Sequence, residues 1–204
     1  MERNGIGAAE TALILQRKFY ARPTIDVARE LLGKVLVHGP VAGMIVETEA
    51  YLGGDDLASH SAAGITNRTR VIFGPAGHAY VYLSYGMHDC LNIVAEQEGT
   101  PGCVLIRALE PVEGVDVMRA RRGKARSDRD LTSGPGKLTQ AMAITRKHSG
   151  VDITHGDLVV RSGSRTSSFE IAVTPRIGIT KCVDLPLRFL IRGNRFVSGR
   201  RVDE

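Results

Sequence analysis

Five short runs rich in Val, Ile, Leu and Tyr, set off by glycine and proline turns, constrain this chain more than any other feature. They span residues 34–38, 44–51, 79–83, 89–94 and 103–109. Runs of this length and composition read as strands. Gly39-Pro40 separates the first from the second, and Tyr85-Gly86-Met87-His88 separates the third from the fourth, so two hairpins are expected. Helical spacing is rarer. Val27, Ala28, Leu31 and Leu32 lie at that spacing between Pro23 and Gly33, and Leu138, Ala141 and Met142 follow Gly134-Pro135-Gly136-Lys137. A further helix is expected to start behind Glu110-Pro111, which closes the fifth strand, and to carry Val112, Val115 and Met118. The pattern predicts a mixed α/β (α+β) fold. It would be a single compact domain, residues 1–204, with peripheral helices around a curved antiparallel sheet and one protruding β-hairpin.

A chain of 204 residues, 43% of them hydrophobic, can bury one core, and no run approaches the roughly 20 apolar residues of a membrane-spanning helix. The start, Met1-Glu2-Arg3-Asn4-Gly5, lacks the apolar stretch of a signal peptide, so a cytoplasmic location is expected. Cys90, Cys103 and Cys182 are odd in number and widely spaced, against a disulfide framework or a cysteine-rich zinc site. The net charge of +5 favours an anionic partner such as nucleic acid. A dense basic stretch, Arg119, Arg121, Arg122, Lys124, Arg126 and Arg129, fits either a backbone-tracking surface or a solvated loop.

The polar, glycine-rich segment from Gly53 to Gly77 is long for a connection in a compact domain, and such loops are usually functional. Just before it, Glu47, Glu49 and Tyr51 share one strand face by the period of two. This fragment alone first suggests two solvent-facing carboxylates on a half-exposed strand; the alternative is one general base in a pocket. Aromatic residues make up only 5% of the chain, yet Tyr51, Tyr80, Tyr82 and Tyr85 gather on these elements. They suit cross-strand packing, or a stacking box in which each base contact contributes about 1–3 kcal/mol.

Several motifs in order resemble the alkyladenine (3-methyladenine) DNA glycosylase family. They are Ile45-Val-Glu-Thr-Glu-Ala-Tyr-Leu-Gly53, Ala58-Ser-His-Ser61, Phe73-Gly-Pro-Ala-Gly77 and Tyr80-Val-Tyr-Leu-Ser-Tyr-Gly-Met87. Val104-Leu-Ile-Arg-Ala-Leu-Glu-Pro111, Ser133-Gly-Pro-Gly-Lys-Leu138 and Pro186-Leu-Arg-Phe189 follow. The resemblance covers about residues 18–200 and leaves 1–17 as an N-terminal extension. It implies a monofunctional enzyme that flips alkylated or deaminated purines from double-stranded DNA and hydrolyses the glycosidic bond. The substrates it implies are 3-methyladenine, 7-methylguanine, hypoxanthine and ethenoadenine.

By the same resemblance Glu49 is the base that activates water, helped by Arg107 and the backbone carbonyl of Ile177, and Glu47 has no catalytic role. Tyr51, His60 and Tyr82 would hold the flipped base, with Asn92 screening its exocyclic groups. Tyr85 would wedge into the duplex, making the hairpin DNA-intercalating, with Met87 beside it. Thr66, Arg68 and Lys137 would lie near the DNA backbone, and the helix start at Gly134 suits a phosphate. No cofactor, no metal and no membrane contact are expected, and the protein should be a monomer. Two positions depart from the family pattern: Asn67 replaces a frequent proline, and His88 replaces the aromatic that often follows Gly-Met.

Two other readings remain. A non-catalytic nucleic-acid-binding module of the same fold would have no use for Glu49 in the pocket of an anionic ligand. A metallohydrolase built on His60, His78, His88 and Asp55 lacks any ligand-like spacing.

Overall fold

The computed structural model describes residues 13–163 and 168–199, so residues 1–12 of the expected extension lie outside the described residues. Two helices, α1 (Arg17–Tyr20) and α2 (Thr24–Glu30), precede a hairpin of β1 (Val35–His38) and β2 (Val41–Tyr51). The long 53–77 segment contains two short 3-10 turns, His60–Ala63 and Arg70–Phe73. A second hairpin, β3 (Ala79–Ser84) and β4 (His88–Val94), is followed by β5 (Cys103–Glu113). Three helices come next: α3 (Val115–Arg121), α4 (Asp128–Thr132) and α5 (Pro135–Met142). Strands β6 (Leu158–Arg161), β7 (Ile171–Thr174) and β8 (Arg188–Ile191) complete the described fold.

Every strand pairing is antiparallel, and the sheet runs β3-β4-β5-β2-β1-β6. Strand β2 is 11 residues long and carries a branch: its start pairs with β1, while Glu47, Thr48 and Glu49 pair with Leu190, Phe189 and Arg188 of β8. The mixed α/β fold with a curled antiparallel sheet agrees with the sequence expectation. Both faces of central β2 are covered. Val46 and Ala50 are fully buried, and the hydroxyl of Thr48 donates to the Ala28 carbonyl of α2 at 2.8 Å.

Two expectations about boundaries need correction. Strand β5 does not stop at Glu110-Pro111 but continues to Glu113, because Pro111 pairs opposite Gly43 at a register shift where a lost N–H is tolerated. Gly43 also leaves room there, since a side chain on it would come within 2.9 Å of Leu109. Val112 therefore belongs to the strand, and α3 starts after Gly114, whose φ of 67° breaks the extended run. The basic stretch also hides a short helix, α4, capped by the Ser127 hydroxyl, which accepts from the Asp130 N–H.

Candidate active site

One lateral row of the sheet builds the site. Tyr80 pairs with Asn92, Asn92 with Leu105, Leu105 with Glu49 and Glu49 with Arg188, across five strands. Directly paired residues project to the same face, so residues far apart in sequence converge. Beside this row lies a cavity of about 720 Å³. Tyr51, His60, Tyr80, Tyr82, Asn92, Cys103, Arg107 and Ile177 contribute to its walls. Its charged lining is cationic, Arg68, Arg107 and Lys181, with no Asp or Glu among the described lining residues.

Glu49 is fully buried and stands one layer behind that wall. Three cavity-lining groups donate to it: the Tyr51 hydroxyl to Oε2 at 2.9 Å, the Ile177 N–H to Oε1 at 2.8 Å and Arg107 Nη1 to Oε1 at 3.1 Å. A carboxylate offers about four lone-pair directions, so roughly one remains. The contact with Ile177 runs through its N–H rather than through the carbonyl. Burial works against the Arg107 charge, but Glu49 and Glu47 outweigh it and hold the guanidinium above its ordinary range. Burial, reinforced by Glu49, pushes the Tyr51 hydroxyl up, which keeps it a donor.

Glu47, two residues away, has a different environment. It is also fully buried, but Arg107 Nε, Arg188 Nε, the Ser198 N–H and the Ser198 hydroxyl all donate to it, at 2.6–3.1 Å.

The aromatic half of the cavity is largely uncharged. His60 packs edge-on against Tyr82 with ring centroids 4.5 Å apart, and its Nδ1 lies 3.0 Å from the Tyr80 hydroxyl. Burial, helped by the Arg68 charge, lowers its pKa to about 4, so the ring is neutral near pH 7. Asn92 is buried, donates from Nδ2 to the Tyr80 carbonyl at 3.2 Å, and accepts on Oδ1 from the Cys103 thiol. Burial pushes that thiol up to about 12.

The β3–β4 hairpin forms one lip. Tyr85 (φ 48°) and Gly86 (φ 69°) are both left-handed, and Tyr85 and Met87 are 80% and 71% exposed. A tyrosine in that region is strained by about 1–3 kcal/mol, a pattern concentrated at functional sites. The Tyr85 hydroxyl donates to the Gly178 carbonyl at 3.2 Å and so touches the opposite lip. His88 packs against Gly136 at the start of α5, where any side chain would collide with it.

Other expected DNA contacts are dispersed. The Thr66 hydroxyl is engaged with Thr69, Lys137 is ion-paired with Asp130, and Arg68 turns into the cavity. Most arginines of the basic stretch bond within the chain. Arg119 holds Asp116 and Asp128, Arg121 the Ala141 carbonyl, Arg122 Gln140 and the Asp130 carbonyl, and Arg129 the Arg195 and Val197 carbonyls. Among the described residues no cluster of three or more His, Cys, Asp or Glu is placed to hold a metal.

Sequence reading missed Lys181 and the pair Asp56–Arg176. That pair is buried and bidentate, at 2.7 and 2.8 Å. The Arg176 guanidinium also lies 4.7 Å from the Tyr51 ring centroid and donates to the Ala50 carbonyl. It thereby ties the 53–59 loop to the segment carrying Ile177. No spacing signal joins two residues so distant in sequence.

The family described as methylpurine-DNA glycosylase matches residues 18–195 of the chain. A protein of Methanoculleus marisnigri is 52% identical over 194 residues, covering 92% of this chain and all of the relative. Proteins of Methanocella arvoryzae and Koribacter versatilis are 49% and 50% identical over 92% of this chain, covering 96% and 94% of their own lengths. The names of all three carry the words 3-methyladenine DNA glycosylase. The class is therefore that of the DNA glycosylases, enzymes that remove bases from DNA. Within it, the chain belongs to the methylpurine-DNA glycosylase family.

Proposed function

We propose that this enzyme flips an alkylated or deaminated purine out of duplex DNA and hydrolyses its N-glycosidic bond with a water activated by Glu49. The observation that carries the reading is the convergence of three cavity-lining donors on one buried carboxylate that keeps an acceptor direction free. A purine N-glycosidic bond breaks through a cationic sugar. A carboxylate behind the cavity can take the proton of the attacking water and stabilise that developing charge. Arg107 and the backbone of Ile177 hold the carboxylate and the water. Tyr51, His60 and Tyr82 stack on the base, and Asn92 meets its exocyclic groups.

Tyr85 fills the gap left in the duplex, with Met87 beside it, and so offsets part of the unstacking cost of a few kcal/mol. The cationic lining and the absence of carboxylates among the described lining residues suit an anionic ligand. On DNA, Lys137 would exchange Asp130 for a phosphate near the start of α5, with Thr66 close to the backbone. The protein acts as a monomer and needs no metal or cofactor.

Base release from duplexes carrying 3-methyladenine, 7-methylguanine, hypoxanthine or ethenoadenine, with and without chelator, tests the reading. Release of at least one base, undiminished by chelator, leaving an uncut abasic strand that borohydride does not trap on the protein, is expected. Activity that disappears with chelator and returns with zinc would replace the reading by metal hydrolysis. A trapped adduct would assign Lys181 a covalent role and end the monofunctional assignment.

A further inference from the structure

Two of the cavity's three cationic groups, Arg68 and Lys181, have no ion-pair partner among the described residues, and Arg68 is the one seen against the aromatic walls. Arg107 faces Glu47 and Glu49, whereas Arg68 has no ion-pair partner among the described residues. Its guanidinium contacts the base-stacking walls instead. It lies 5.2 Å from the Tyr82 ring centroid, and Nη2 is 3.3 Å from His60 Nε2. Arginine only donates, so His60 Nε2 accepts and the ring proton sits on Nδ1, directed at the Tyr80 oxygen. The remaining walls, Tyr51, Tyr80, Tyr82, Asn92, Cys103 and neutral His60, carry no charge.

We infer that Arg68 is a specificity-determining residue of the base pocket, selecting an uncharged 6-oxopurine over an N-alkylated purine that carries a positive charge. The inference rests on the proposed reading that the flipped purine occupies this cavity. A purine methylated at N3 or N7 is a cation while still attached to the sugar, and an unbalanced guanidinium repels it. Hypoxanthine is neutral and presents O6 and N7 as adjacent acceptors. These match the forked donors of arginine, as they do when arginine reads guanine in a groove. Guanine shares that edge, but its stronger pairing in intact duplex makes it costlier to extrude than a mispaired or deaminated base.

Arg68 is exposed and makes no contact with the buried Glu47 and Glu49 cluster, so its substitution leaves the fold intact. The test compares single-turnover release of hypoxanthine and of 7-methylguanine, corrected for spontaneous loss, by wild type, Arg68→Gln and Arg68→Lys. The salt dependence of binding to undamaged duplex is measured in parallel. Arg68→Gln is expected to lower the hypoxanthine to 7-methylguanine rate ratio at least about tenfold, the scale of one lost bidentate base contact. Arg68→Lys keeps the repulsion but loses the fork, so hypoxanthine release is expected to fall further than 7-methylguanine release. The salt slope should not move in either variant.

Equal losses on both bases, with a slope smaller by about 0.9 in Arg68→Gln, would make Arg68 a phosphate contact and overturn the inference alone. An unchanged ratio would overturn it too, as would a wild type that releases only the cationic base. A wild type that releases neither base would bring down the purine-hydrolase reading itself.

Discussion

Glu47 and Glu49 lie two residues apart on one face of β2, equally buried and joined through the same Arg107, yet their surroundings differ in kind. Glu47 takes four donors, two of them guanidiniums, with three on Oε1 and the Ser198 N–H on Oε2. Glu49 takes three donors, all from groups that also line the cavity. The Glu47 end knits β2, β5, β8 and Ser198 together. The Glu49 end keeps one acceptor direction open next to the cavity. Burial alone therefore does not separate the two carboxylates; the groups that donate to each do.

The largest effect is expected at Glu47. Replacing it by Gln leaves Arg107 and Arg188 without their shared counter-charge, and removal of one partner from a buried pair typically costs about 3–5 kcal/mol. Urea denaturation is expected to show that loss, while the protein that remains folded still releases base. A variant as stable as wild type would place the structural role elsewhere.

Tyr85→Ser has a smaller effect, confined to the rim. Loss of one stacking contact of about 1–3 kcal/mol predicts a roughly ten- to hundredfold slower release from perfect duplex. Little change is expected on the same lesion in bulged or single-stranded DNA, which needs less unstacking. Equal losses on all three substrates, at unchanged stability, would make Tyr85 part of the catalytic pocket.

The smallest effect is the pH dependence of the His60 wall. Its folded pKa of about 4 lies below the unfolded value of 6.5, so the unfolded chain binds the extra proton between them. The neutral ring's contribution to stability is fully present above about pH 6.5 and is lost as pH falls toward 4. Denaturation midpoints of wild type should drop more steeply across that window than those of His60→Gln. Parallel curves would mean that the imidazole is not held neutral by the fold.

Much of this contrast lay outside what sequence can express. Period two put Glu47, Glu49 and Tyr51 on one face, and turn residues marked both hairpins, because these are local properties of the backbone. The row Tyr80–Asn92–Leu105–Glu49–Arg188 depends on register across five strands, and a bulge within β2 and β5 shifts that register. The partners of Glu47 at positions 188 and 198, and the pairing of Asp56 with Arg176, are long-range consequences of that topology. Likewise a count of arginines between 119 and 129 reports charge. It does not reveal that most of those guanidiniums bond carbonyls, amides or carboxylates of their own chain.

Whether Glu49 supplies the base is decided by single-turnover base release by Glu49→Gln, with lesion-duplex affinity and thermal stability measured on the same preparation. Loss of a positioned general base predicts a rate lower by about a hundred- to ten-thousandfold, with affinity and stability close to wild type. Release at more than about a hundredth of the wild-type rate by a folded, DNA-bound variant would mean that water is activated without this carboxylate, and Glu49 would not be the base.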